Sequence, residues 1–160
     1  MNMFVNRGIY FTAAAMVLLA GTAVKADERY KPVMDQVVAK ECGACHMAFQ
    51  PQMLPKKSWQ KIMDGLPNHF GEDASLDAKT VRHITAYHLK NAADSSWLGG
   101  KFMRGLSKTS APLRITETPY WVREHNEEVP GRAWKDPKVK SKANCIACHK
   151  RANSGDYDDD

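Results

Sequence analysis

Cys42-Gly43-Ala44-Cys45-His46 and Cys145-Ile146-Ala147-Cys148-His149 are the two stretches that decide how this chain folds. Between them they hold all four cysteines of the 160-residue sequence, and each is C-x-x-C-H, the attachment pattern of c-type haem. Two intervening residues on one turn of backbone let both sulfurs reach the vinyl groups on one porphyrin edge. The next imidazole then sits beneath the ring. Cys42, Cys45, Cys145 and Cys148 are therefore read as attachment points for two covalently bound haems c, and His46 and His149 as proximal iron ligands.

Three other readings of the cysteines are weaker. Disulfides suit an exported protein but do not call for His after both pairs. A Cys₄ zinc site usually has its two pairs ~15–20 residues apart, whereas 99 residues separate Cys45 from Cys145. A thioredoxin-type motif needs a βαβ context that is missing.

The first residues read as an export signal. Arg7 precedes an uncharged, largely apolar run from Gly8 to Val24, and small residues end in Val24-Lys25-Ala26. The strongly apolar part, Ile9 to Ala20, is shorter than the ~20 residues of a spanning helix, so cleavage after Ala26 is expected and no later segment should span a membrane. That leaves a periplasmic, soluble chain of 134 residues with 21 basic and 18 acidic side chains, formally +3. Four haem propionates would offset this charge, so the basic pI of the whole sequence is no argument for nucleic acid.

The mature chain is poor in aliphatic residues and needs something apolar inside it. The expected fold is mainly α: a small α-helical N-terminal haem lobe (27–105), a largely irregular C-terminal haem lobe (106–160), and the two haems as core. A helix from Pro32 to Cys42, with Val33, Val37 and Val38 on one side, would deliver the first motif. A second, capped by Ser58, would carry Trp59, Ile62, Met63 and Leu66 and end at Gly65 and Pro67, placing His69-Phe70-Gly71 on the following turn. A third runs from Asp77 to about Ala93 with Leu76, Val81, Ile84 and His88 in one stripe. Beyond it Pro112, Pro119, Pro130 and Pro137 argue against a long helix before the second motif.

Distal groups decide the chemistry, since a strong sixth ligand makes an electron carrier and a vacant position admits substrate. Position favours His69, 23 residues after His46, over a solvent-exposed turn histidine. His125 lies 20 residues before Cys145 in the aromatic cluster Tyr120-Trp121-Val122-Arg123-Glu124-His125, and a ligand and a surface histidine are equally good readings there. His88 is a rival on the apolar stripe, although a packed core residue fits that place better, and His83 reads as solvated. Met53, Met63 and Met103 are further candidates that fit core filling better.

With these residues assembled, the chain resembles the dihaem cytochrome c family of bacterial periplasmic electron carriers. The resemblance rests on both C-x-x-C-H motifs, Leu54-Pro55 with Ser58-Trp59, His69 to Leu76, Arg114-Ile115-Thr116 and Arg123-Glu124-His125. It implies bis-histidine iron ligation, carried onto His46 with His69 and His149 with His125. It also implies a donor such as a membrane quinol-oxidising cytochrome b, and a small oxygen-binding c-type haem protein as acceptor. The expected role is electron transfer without catalysis. The alternative is a haem enzyme, a peroxidase or small reductase, with one open site. Lys135, Lys138, Lys140, Lys142, Lys150 and Arg151 flank the second motif and would steer an acidic partner, unless the aspartates at 156 and 158–160 balance them.

Overall fold

The structure is a computed structural model that describes residues 29–97 and 99–158; the expected export signal lies outside the described residues. Four α-helices order the chain: α1 Gln36–Cys42, α2 Lys56–Asp64, α3 Ala78–Asn91 and α4 Pro119–Glu128. Short 3-10 turns and irregular segments join them, and among the described residues there is no strand, only isolated bridges. The architecture is mainly helical. No helix among these residues is long and apolar enough to cross a membrane.

Helix α1 begins four residues later than Pro32. Asp35 is extended, and its carboxylate accepts the backbone N–H groups of Val37 and Val38 at 3.0 Å each, so the cap sits there. Val38 is fully buried while Val37 is exposed, because adjacent helical residues point about 100° apart and cannot share a face. Ser58 is not a cap either. Pro55 occupies the N-cap position of α2, and Ser58 lies buried inside the helix. The apolar positions of α2 do pack as expected, with Trp59 and Met63 buried, and Gly65 closes the helix by donating its N–H to the Lys61 and Ile62 carbonyls.

Asp77 caps α3 through the N–H groups of Lys79 and Thr80, and Ile84 and His88 form its buried stripe. Val38, Met63, Leu66 and Ile84 join α1, α2 and α3 in one apolar cluster. The expectation of no long helix before the second motif needs correction. Pro119 opens the ten-residue α4 and does not break it: at the first helical position its missing N–H costs nothing, and Thr118 caps the Trp121 N–H. The rest of that half is 3-10 turn and irregular chain.

A larger cluster joins residues near both motifs: Met53, Leu54 and Trp59 pack with Phe102, Ile115, Tyr120, Trp121, Ala152 and Tyr157. Polar bonds reinforce it. The Trp59 indole donates to the Pro51 carbonyl at 2.8 Å. Fully buried Gln50 donates to the Ala152 carbonyl at 2.8 Å and accepts from the Tyr157 hydroxyl at 2.6 Å. The Tyr30 N–H donates to the Gly155 carbonyl at 2.7 Å, and Arg29 bridges to Asp156, so residues 29–30 and 155–158 are held together.

Candidate haem sites

Gly43 ends α1 by returning its N–H to the Ala39 carbonyl, which turns the chain so that His46 leaves the helix end. His46 Nδ1 lies 2.7 Å from the Met47 carbonyl. An N–H donated there leaves Nε2 with its lone pair, the form a metal needs. His69 reaches the same place from the far side. Its N–H donates to the Glu72 carbonyl at 2.7 Å across a tight turn in which Phe70 and Gly71 have φ of 56° and 103°. The two imidazole centroids are 6.2 Å apart and their planes differ by 25°. Burial, then the neighbouring His46 and Arg114, hold the His69 imidazole below the ordinary histidine range, which favours its neutral form. A cleft of about 410 Å³ opens beside His46, lined by Val33, Ala39, His46 and Met47 and, from the other motif, Ile146.

The second site is built on α4. His125 stands one turn beyond Trp121, with its Nδ1 2.9 Å from the Trp121 carbonyl and its ring stacked on the indole at 3.9 Å and 14°. Opposite it, His149 closes the 3-10 turn of its motif, its N–H on the Cys145 carbonyl at 2.8 Å. The His125 and His149 centroids are again 6.2 Å apart, with their planes at 79°. Tyr157 lies edge-on to His149 at 5.4 Å, and Trp134 stands 6.0 Å from His125. A small cavity of about 40 Å³ between the two histidines is walled by Tyr30, Met53, Phe102, Ile115, Tyr120 and Trp121.

Each C-x-x-C-H histidine thus faces one of the expected distal histidines. No disulfide joins the four cysteines, and burial pushes the Cys42 and Cys145 thiols, before attachment, up to about 11. The rival histidines go elsewhere. His88 packs in the core, 4.3 Å from Trp59, with Nδ1 on the Ile84 carbonyl. His83 is exposed and bonds Asp35 at 2.8 Å. Met63 is core filling, whereas Met53 is buried and forms part of the second cavity wall. Trp134, Tyr157 and the place of Ile146 beside the first site have as their only local signal aromatic or apolar character near the second motif, and Gln50, four residues after His46, has none.

The family model described as Dihaem cytochrome c matches residues 38–157. This chain belongs to that family. A diheme cytochrome c from Rhodobacter sphaeroides is 46% identical over 79% of this chain and 99% of its own, with a TM-score of 0.75. A second structure, of DHC purified from Rhodobacter sphaeroides, is 43% identical over 78% and 98%, with a TM-score of 0.66. A diheme cytochrome type c from Shewanella baltica is 34% identical over 77% and 86%, with a TM-score of 0.63. No match was found among curated proteins.

The dihaem cytochrome c carries two covalently attached haems c, and the residues present fit them. Each site offers a C-x-x-C cysteine pair, two facing imidazoles and apolar lining side chains, the donor set and surroundings that a c-type haem takes.

Proposed function

We propose that this cytochrome is a periplasmic electron carrier in which Cys42 and Cys45 attach one haem, held between His46 and His69. Cys145 and Cys148 attach the other, held between His149 and His125. The observation that carries the reading is the repeated 6.2 Å between facing imidazoles. An imidazole nitrogen binds a first-row metal at about 2.0–2.1 Å, so two rings on opposite sides of one ion have centroids about 6 Å apart. Both sites meet this condition.

When bound, each haem supplies a one-electron iron couple. The chain's own residues do the rest. The Met47 and Trp121 carbonyls fix the tautomer of His46 and His125 and raise their basicity. Trp121, Tyr120, Phe102 and Tyr157 exclude water from the second site. Imidazole on both sides leaves no position for substrate, which argues for electron transfer over catalysis, and four imidazole donors favour low potentials.

For its partners, the family resemblance supports a quinol-linked membrane cytochrome b as donor and a small c-type haem protein as acceptor. Docking through the lysines beside the second motif is supported by the pairing of the tail. Asp156 bonds Arg151 at 2.8 Å, and Asp158 lies 3.4 Å from Arg29, so these two carboxylates are spent on arginines. Lys135, Lys138, Lys140, Lys142 and Lys150 are all exposed. Such a patch raises the encounter rate with an acidic surface.

The test is carbon monoxide binding to the reduced holoprotein, followed in the Soret region. The expected result is no spectral shift. A ready shift at either haem overturns the closed-site reading and makes that haem a candidate catalytic centre.

A further inference from the structure

The two facing pairs share a spacing and differ in orientation: the His46 and His69 planes are 25° apart, and those of His125 and His149 are 79° apart. Two imidazoles that bind one ion each aim a nitrogen at it, so both planes contain the common axis. The angle between the planes is then the twist about that axis. Resting on the proposed ligation, we infer that the two haem sites are electronically unlike, aligned at the first and crossed at the second, and that Trp121 is the positioning residue that sets the crossing.

Several contacts hold the twist. His125 is pinned at its edge by the Trp121 carbonyl at 2.9 Å and across its face by the indole, 3.9 Å away and 14° from parallel. One residue therefore fixes both the tautomer and the plane. Trp121 itself is buried, and Trp134 packs against both it and His125. Across the site, the Tyr157 ring lies 5.4 Å from His149 at 60° to its plane. At the first site His46 lies 30° from the Phe49 plane and 5.0 Å away, with its Nδ1 at the Met47 carbonyl, and His69 is aligned with it.

The consequence lies in the iron d orbitals. Aligned imidazoles donate π density into one of the two orbitals that lie along the axis and split them. Crossed imidazoles donate into both and leave them nearly equal. Ferric low-spin iron then gives a three-line rhombic resonance in the first case and one broad feature at large g in the second.

The experiment is a low-temperature electron paramagnetic resonance spectrum of the ferric holoprotein, with His125→Ala to assign the signals. The expected result is one rhombic set and one large-g feature in equal spin, with only the large-g feature replaced by a high-spin signal in His125→Ala. Two rhombic sets, or two large-g features, overturn the inference and leave the bis-histidine reading standing. A high-spin ferric signal in the unaltered protein overturns that reading itself. Trp121→Phe, which keeps a smaller stacked ring, is expected to move the large-g feature toward the rhombic region with the first-site lines unmoved; an unmoved feature refutes the role of Trp121. Should Trp121→Phe lose haem, Trp134→Phe, which loosens the packing behind Trp121, takes its place and is expected to shift the same feature.

Discussion

Tyr157→Phe removes one oxygen from the centre of the molecule, and the structure sets the size of the effect. The hydroxyl donates to Gln50 Oε1 at 2.6 Å, and Gln50 is fully buried while Tyr157 is nearly so. The Gln50 side chain is committed at its other end to the Ala152 carbonyl at 2.8 Å and cannot turn to find a new donor without breaking that bond. Losing one buried donor and leaving its acceptor unsatisfied costs about 1–3 kcal/mol. The phenylalanine ring keeps the edge contact to His149, so the haem spectrum should not change. With a urea slope of about 1–3 kcal/mol/M, the unfolding midpoint of the holoprotein should fall by about 1 M, followed by far-ultraviolet circular dichroism. Gln50→Met closes a double-mutant cycle whose coupling should exceed about 0.5 kcal/mol. A loss below about 0.3 kcal/mol, or strict additivity, would refute the claim that this bond fastens the chain beyond His46 to the chain beyond His149.

Other expectations follow from the packing and the charges. Ile84→Ala, at a fully buried position facing Val38 and Met63, should cost about 2–5 kcal/mol in chemical unfolding without altering the absorption spectrum. Gly155→Ala should destabilise by about 1–3 kcal/mol, because φ is 78° there and a Cβ would strike the Tyr30 carbonyl. The Asp35 carboxyl is held below its ordinary value, first by the Val38 N–H and then by His83. Its stabilising effect is therefore present above the unfolded-state value near 3.8 and is lost as pH falls through the lower folded-state value; Asp35→Ala should flatten the acid limb of an unfolding profile measured by circular dichroism. Replacing Lys138, Lys140 and Lys142 together by Gln should slow stopped-flow electron exchange with an acidic redox protein and weaken its dependence on salt.

Helix α3 was legible because every local signal agrees: an Asp at the cap, a stripe at helical spacing and no proline inside. Helix α4 was missed because proline was read as a breaker, although Thr118-Pro119 is the pair that opens a helix. Ser58 misled in the opposite way, since a good capping side chain is as readily buried inside a turn whose start Pro55 already imposes. The motif histidines could be read from spacing alone. That His69 and His125 face them could not, because it depends on a turn with positive φ at Phe70 and on a stack against Trp121. Contacts such as Gln50 to Ala152 and Tyr157 span about a hundred residues and leave no mark on either segment.

Ile146 belongs to the second motif by chain position and to the first site by location, since its side chain lines the cleft beside His46. The second motif thus reaches the wall of the first site, and charge on one would be felt at the other. An electron that has arrived makes the next one harder to add, so even two sites with equal intrinsic affinity would fill in separate steps. On the proposed electron-carrier reading, molecules holding a single electron would then be the main species midway between the two steps, and the cytochrome would act as a one-electron shuttle that keeps a second place in reserve.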